Sequence, residues 1–111
     1  MRPLYHPPVD RITVQGILYA LSDPVRARIF IQLLRADCPK SCSAFLQVSD
    51  KTLPKSTLSQ HFKVLREAGL IRSQREGVEL RNQTRCAELK NKFGAMVTEI
   101  LQAYKDELRK P

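Results

Sequence analysis

The segment from Ser56 to Ile71 constrains the fold of this chain more than any other. At about 3.6 residues per turn, Leu58, Phe62 and Leu65 fall on one apolar stripe of a helix. Gly69 follows, and glycine readily takes the left-handed conformation that ends a helix. The pattern predicts a helix that buries one face and presents a polar face to a partner.

The polar face of this helix carries short hydrogen-bonding side chains and lysines. With the lysine just before the helix, they are Lys55, Ser56, Thr57, Ser59, Gln60 and Lys63. Side chains of these types form hydrogen bonds with base edges or bind phosphate groups. An ordinary solvated surface helix is the alternative interpretation.

The residues after Gly69 predict a two-stranded hairpin. Residues 70–75 and 78–84 alternate partly with a period of two, and Glu76-Gly77 lies between them, where glycine allows the positive φ of a tight turn. The arginines of this segment are Arg72, Arg75, Arg81 and Arg85. A basic hairpin directly after a polar-faced helix suggests a helix for the major groove and a hairpin for the backbone or minor groove. Charged edges also block aggregation between strands, which is the alternative reason for these arginines.

The charge of the chain is concentrated in the same region. The 111 residues include 19 Lys and Arg against 11 Asp and Glu, a net charge of +8. Residues 51–85 contain eight basic and three acidic residues, a local net charge of +5. Such charge attracts nucleic-acid phosphate through counterion release. A membrane surface is disfavoured as a partner because no long apolar helix with one basic face accompanies the charge.

Length and composition predict one domain over residues 9–111, preceded by an extended arm over residues 1–8 that contains three prolines. No apolar run is long enough for a membrane span and no signal peptide is recognisable, so a cytoplasmic location is expected. No glycine-rich phosphate loop, paired carboxylates or nucleophile motif is present. We therefore predict neither enzymatic activity nor a cofactor.

Three helices are predicted before the polar-faced one. The first spans Val9–Leu21, and the second spans Pro24–Ala36 after the capping signal Ser22-Asp23. Asp37–Lys40 is predicted as a turn, and a short helix about Cys42–Val48 follows.

The last segment predicts a long amphipathic helix. Apolar residues recur at helical spacing from Leu89 to Leu108, which is a longer stripe than so small a domain needs to cover one helix. A dimer interface is the expected use of the surplus, and packing of the helix onto its own core is the alternative. The residues expected at that interface are Phe93, Met96, Val97, Ile100, Leu101 and Tyr104.

Two motifs of the chain resemble those of a known family. Residues 20–29, ALSDPVRARI, and residues 59–71, SQHFKVLREAGLI, with a hairpin following, look like the ArsR/SmtB family of winged helix-turn-helix repressors. The resemblance extends from about Val9 to Leu101. It implies a mainly helical winged helix-turn-helix fold with a small β-hairpin, in the order four helices, two strands and a fifth helix.

The resemblance also implies how the chain works. The helix Ser56–Ala68 becomes the recognition helix, and Cys42–Val48 the helix before it. The family forms homodimers through the first and last helices, which adds Ile17, Leu18 and Leu21 to the expected interface. We therefore predict a homodimeric regulator of double-stranded DNA, with repression as the simpler default, that places its two recognition helices in successive major grooves of an imperfect palindrome.

Individual roles follow for the DNA-facing residues. Gln60 and Thr57 are predicted to contact base edges, because glutamine can bind adenine through two hydrogen bonds. Phosphate contacts are predicted for Lys55, Ser56, Ser59 and Lys63, and backbone or minor-groove contacts for Arg72, Arg75 and Arg81. His61 lies between the apolar and exposed faces, where it either contacts phosphate or ties the helix to a neighbouring helix.

The resemblance leaves the signal for release of DNA open. Many members respond to a metal, a metalloid or a thiol oxidant, but the last helix here has no histidine, so no metal site is predicted. The cysteines Cys38, Cys42 and Cys86 are candidates for thiol sensing through a soft metalloid or a reversible disulfide. Three unrelated cysteines that act as small hydrophobic residues are the alternative, and an unidentified effector is a further possibility.

Two other function classes also fit the sequence. A non-specific architectural DNA binder would show a steep salt dependence and little preference among sequences. A winged-helix protein-interaction module would dock an acidic protein on the basic face, and DNA would not compete in a sequence-dependent way.

Overall fold

The described part of the chain, residues 3–35, 40–41 and 53–108 of a computed structural model, is mainly helical. A short 3₁₀ helix (Val9–Arg11) comes first. The longer elements, in chain order, are α1 (Val14–Leu21), α2 (Pro24–Arg35), β1 (Lys40–Ser41), α3 (Lys55–Glu67), β2 (Ile71–Glu76), β3 (Glu79–Thr84) and α4 (Cys86–Leu108). The predicted helical fold with a small antiparallel hairpin is confirmed. The predicted helix Cys42–Val48 lies outside the described residues.

The predicted first helix, Val9–Leu21, is wrong in its N-terminal part. Thr13 is the N-cap of α1, and its Oγ1 accepts a hydrogen bond from the backbone N–H of Gly16 at 3.0 Å. An N-cap residue is extended, as the φ of −120° at Thr13 shows, so the helix cannot run back through it. Threonine is a frequent N-cap, and this signal in the sequence was missed.

The start of α2 confirms the predicted capping signal. Asp23 Oδ1 accepts hydrogen bonds from the backbone N–H groups of Val25 and Arg26, at 2.8 and 3.2 Å. The buried Arg26 side chain points back to the end of α1, where Nε donates to the Ala20 carbonyl at 2.7 Å and Nη2 donates to the Tyr19 carbonyl at 3.1 Å. Hydrogen bonds therefore hold both ends of the turn between the two helices.

The sheet has one strand more than predicted. β1 pairs antiparallel with β3, which gives the order β1-β3-β2 and leaves β2 at one edge. Lys40 is therefore in a strand and not in a turn, and two residues are too few for a recognisable alternation. The predicted hairpin is formed by β2 and β3 around the loop Gly77-Val78, one residue later than the predicted Glu76-Gly77 turn. Gly77 has a φ of +64°, as the first loop residue of a type II′ turn requires.

The core joins all four described helices, and α4 supplies Leu89, Phe93, Val97 and Leu101 to it. Most of the apolar stripe therefore covers the chain's own core, as the alternative interpretation expected, and its share in a dimer interface stays a prediction. Of the residues expected at a dimer interface, five are buried within the chain, namely Ile17, Leu21, Phe93, Val97 and Leu101. Met96, Ile100 and Tyr104 are partly buried against the same core, and Leu18 is exposed. The Tyr104 hydroxyl also donates a hydrogen bond to the Leu21 carbonyl, which anchors the last turns of α4 to α1.

Candidate nucleic-acid interface

Helix α3 presents a single polar face because its apolar stripe is completely buried. Leu58, Phe62 and Leu65 are at most 1% exposed. Full burial of such side chains contributes about 1.5–3 kcal/mol each, which fixes the rotation of the helix about its own axis. The side chains that this rotation leaves exposed are Lys55, Ser56, Thr57, Ser59, Gln60 and Lys63, all of them predicted DNA contacts.

The end of α3 sets the direction of the hairpin. Gly69 has a φ of +88°, and the Leu70 N–H donates to the Leu65 carbonyl at 3.0 Å while the Gly69 N–H donates to the Arg66 carbonyl at 3.0 Å. This pair of bonds is the Schellman motif that glycine favours at a helix end. A Cβ at Gly69 would also collide with the Ile12 side chain. The glycine end predicted from the sequence is confirmed, and β2 begins two residues later.

The lysines of α3 are free to bind an anion. Among the described residues, no carboxylate forms an ion pair with Lys55 or Lys63, and both side chains are exposed.

The hairpin arginines are less available than their sequence positions suggest. Arg72 Nη2 lies 3.0 Å from Glu88 Oε1, and Arg81 lies 3.4 Å from a Glu79 carboxylate oxygen. Arg81 Nε is also 4.0 Å from Glu76 Oε2. Arg75 is exposed and, within the described residues, has no such partner. It is therefore the hairpin arginine that is most available for phosphate.

Arg85, counted as a hairpin charge in the sequence, is a buried structural residue with 3% exposure. Its Nε and Nη2 donate to the two carboxylate oxygens of Glu88 at 3.2 and 3.0 Å, and its Nη1 donates to the Pro7 carbonyl at 2.8 Å. The hydrogen bonds from Arg85 have the largest effect on the pKa of Glu88 and lower it. Burial opposes them, and the hydrogen bonds from Arg72 and the charges of both arginines lower the pKa further. Arg85 therefore holds the start of α4 and contributes little to the surface charge.

A buried polar network that the sequence analysis missed ties α3 to the hairpin. Arg66 Nη1 donates to Ser73 Oγ at 3.1 Å, and Ser73 Oγ donates to Asn82 Oδ1 at 2.7 Å. Ser73 is 4% exposed and Asn82 is completely buried. The available signal was the period of two, because Ser73 follows the buried Ile71 on the inward face of β2. The network fixes the hairpin relative to the helix.

His61 is half-buried on the flank of α3. Its Nδ1 is buried and has no hydrogen-bond partner among the described residues. Burial lowers the pKa of His61, and Arg26 lowers it further, whereas Asp23 raises it. Both of these charges lie at the start of α2, so His61 is neutral at neutral pH and lies near the junction of two helices.

The predicted thiol site can be described at one position only. Cys86 is half-buried, and this burial raises the pKa of its thiol while a hydrogen bond with Thr84 lowers it. Cys38 and Cys42 lie outside the described residues. Within residues 3–35, 40–41 and 53–108, no group of three His, Cys, Asp or Glu side chains is arranged to hold a metal ion.

A polar-faced helix joined through Gly69 to an antiparallel hairpin defines a winged helix-turn-helix protein. The family model described as a helix-turn-helix domain matches residues 21–74. The HTH-type transcriptional regulator CmtR of Mycobacterium bovis and of Mycobacterium tuberculosis is 33% identical over 89 residues, which is 79% of this chain and 71% of that protein.

A solved structure, the ArsR-like transcriptional regulator from Rhodococcus sp. RHA1, matches with a TM-score of 0.58 and 28% identity, over 84% of this chain and 82% of that one. The chain belongs to the ArsR family of winged helix-turn-helix transcriptional regulators. The resemblance inferred from the two sequence motifs is confirmed.

Proposed function

We propose that this chain is a repressor that binds an imperfect palindrome in double-stranded DNA as a homodimer. The observation that carries the proposal is the exposed face of α3. This face carries six polar or basic side chains, and the opposite face is the buried apolar stripe. The helix can therefore present only its polar face to a partner.

The contacts predicted from the sequence fit the exposure of these side chains. Gln60 and Thr57 are exposed one turn apart on α3, and we assign them to base edges. Phosphate contacts are assigned to Lys55, Ser56, Ser59 and Lys63. For His61, the half-buried position of the ring and the burial of its Nδ1 favour packing against a neighbouring helix over a phosphate contact.

The hairpin contributes through Arg75 first. Arg72 and Arg81 are also assigned to the DNA backbone, but each must exchange a carboxylate for a phosphate. Exposed ion pairs of this kind contribute only about 0–1 kcal/mol, so breaking them to bind phosphate costs little free energy for either residue.

The proposed homodimer is supported by apolar surface that is exposed to solvent in the single chain. On α1, Val14 is 49% and Leu18 is 48% exposed. Along α4, a groove of about 490 Å³ is lined in part by the small residues Ala87, Gly94 and Ala95. A second copy of the chain would cover these surfaces, and the partly buried Met96 and Ile100 stay assigned to the interface.

Selection of bound DNA from a random duplex pool at physiological salt tests the proposal. A palindromic consensus is the expected result. Retention of all sequences alike would indicate an architectural binder, and failure to retain DNA would favour a protein partner.

The base-reading role is tested by titrating Gln60→Ala and Lys63→Ala against the selected site and against a site altered at one base pair. Gln60→Ala is expected to lose about 1–3 kcal/mol at the selected site and to discriminate less. Lys63→Ala should weaken both sites alike. Uniform weakening by Gln60→Ala would contradict its assignment.

Thiol sensing by Cys38, Cys42 and Cys86 stays part of the proposal for an effector. A variant with serine at all three positions should bind DNA without response to oxidant or metalloid. A response equal to that of the parent protein would exclude the thiols.

A further inference from the structure

The arm before the first helix lies against the open edge of the hairpin. β2 is the edge strand of the sheet, and the backbone N–H of Ser73 on β2 donates a hydrogen bond to His6 Nε2 at 2.9 Å. The next residue, Pro7, is buried, and its carbonyl accepts the 2.8 Å hydrogen bond from Arg85 Nη1. Two successive residues of the arm thus bind the hairpin near its base, one on β2 and one directly after β3.

Ser73 connects this contact to the DNA-facing helix. Its backbone N–H binds the arm, while its Oγ accepts from Arg66 of α3 at 3.1 Å and donates to Asn82 of β3 at 2.7 Å. One residue therefore joins the arm, both strands of the hairpin and α3.

The contact requires a neutral imidazole. Nε2 accepts a hydrogen bond only while it carries no proton, and a proton there would face the Ser73 N–H. Three arginines act on the ring through their positive charge: Arg66 of α3, Arg72 of β2 and Arg85 just before α4. The nearby carboxylate, Glu88 of α4, is bonded to Arg72 and Arg85.

The same surroundings lower the pKa of His6. Burial has the largest effect, and the positive charges of Arg72, Arg66 and Arg85 add to it, whereas a hydrogen bond to the Leu4 backbone opposes it. A group whose pKa is lowered on docking favours the docked state above its ordinary pKa. That contribution is lost as the pH falls through the pKa of the docked form.

We propose that His6 is a positioning residue for the hairpin. In its neutral form, His6 holds the arm on the edge of β2 through the hydrogen bond from the Ser73 N–H, a contact that we call the clasp. Protonation of His6 releases the arm. The clasp holds the hairpin against α3 in the orientation that meets DNA, a consequence that rests on the function proposed above. Release frees the Ser73 N–H at the sheet edge and removes the Pro7 carbonyl from Arg85.

The clasp is tested without DNA by NMR of the Ser73 backbone amide between about pH 8 and about pH 5, in the whole chain. The parent protein should show a protected amide that loses protection on acidification. In His6→Gln the amide oxygen can still accept the hydrogen bond and does not titrate, so protection should persist at every pH. In His6→Ala protection should be absent throughout. Equal protection in His6→Ala and the parent protein would overturn the proposal.

The consequence for DNA binding is tested by the ratio of affinities at the same two pH values. The parent protein should lose about fivefold more affinity on acidification than His6→Gln, which is the range expected for one hydrogen bond. Both proteins retain His61, so its titration cancels in the comparison. Equal ratios in the two proteins would contradict a role of the clasp in DNA binding.

The two experiments separate the two proposals. If neither protein binds DNA, the proposed function fails while the Ser73 amide still decides whether the clasp exists. A protected, pH-dependent amide with no difference in DNA affinity would leave the arm a structural element only, against the positioning role.

Discussion

Helix α3 and the hairpin carry similar basic side chains in the sequence but use them differently. The lysines Lys55 and Lys63 of α3 have no carboxylate partner among the described residues. In the hairpin, Arg72 and Arg81 are paired with glutamates on α4 and around the hairpin turn, and the adjoining Arg85 is buried. A count along the sequence therefore gives the number of basic residues, whereas the fold decides which of them are exposed and unpaired and can bind a partner.

The two regions also differ in how firmly they are placed. α3 is oriented by a buried apolar stripe, whereas the hairpin combines the buried Ile71 with the polar network through Ser73 and the contact with the arm. Hydrophobic burial does not depend on pH in the physiological range, but a hydrogen bond to histidine does. The orientation of α3 is thus expected to be independent of pH in this range, whereas the contact between His6 and the hairpin is expected to depend on it.

The largest expected effect is a difference in stability between alanine substitutions at two glycines, the one that ends α3 and the one in the hairpin turn. Gly69→Ala should lower the free energy of unfolding by about 3 kcal/mol, because it combines a left-handed φ with a collision against Ile12. Gly77→Ala should cost about 1 kcal/mol, because its left-handed φ is the same kind of strain in open space. Urea unfolding at one fixed protein concentration measures both, and equal losses would contradict the close packing of α3 on Ile12.

A smaller difference in stability is expected between alanine substitutions of a buried and an exposed arginine near the hairpin. Arg85→Ala should lower the free energy of unfolding by about 2 kcal/mol, since it removes the bonds to Glu88 and Pro7. Arg75→Ala is the matched control and should change it by less than about 0.5 kcal/mol. The same urea titration applies, and a loss in Arg75→Ala as large as in Arg85→Ala would remove the distinction.

The smallest expected effect concerns the salt dependence of DNA binding. Lys63→Ala should reduce the slope of log affinity against log salt by about 1, as expected for the loss of one phosphate contact. Arg72→Ala should leave the slope nearly unchanged if Glu88 keeps its guanidinium. Affinities measured over a series of salt concentrations give both slopes. An equal reduction would show that Arg72 exchanges Glu88 for phosphate on binding.

Features that depend on neighbouring residues were predictable from the sequence. The stripe of Leu58, Phe62 and Leu65 is buried, Gly69 ends α3 and Asp23 caps α2, all as predicted. Each of these signals lies within a few residues of the feature that it predicts. The errors are of two kinds. The N-cap Thr13 is a local signal that the sequence already contains, whereas the second error depends on residues far apart in the chain. The strand at Lys40 exists only because β3 lies beside it.

The use of the α4 stripe was likewise beyond the sequence. Periodicity shows which side of a helix is apolar, but it does not show whether the chain itself or a second copy covers that side. The core that joins the four described helices contains Phe93, Val97 and Leu101. The exposed Val14 and Leu18 of α1 were left as candidate interface residues.

The sequence alone indicated the class of this protein, through two motifs that resemble those of the ArsR/SmtB family. It also encoded the polar-faced helix and its glycine end, through local spacing and the conformational freedom of glycine. Tertiary structure alone decided which arginines remain available and how the arm meets the hairpin. Both depend on contacts between residues far apart in the chain, such as His6 with Ser73 and Pro7 with Arg85. The strength of such contacts is set by burial and by neighbouring charge, which no stretch of sequence displays on its own.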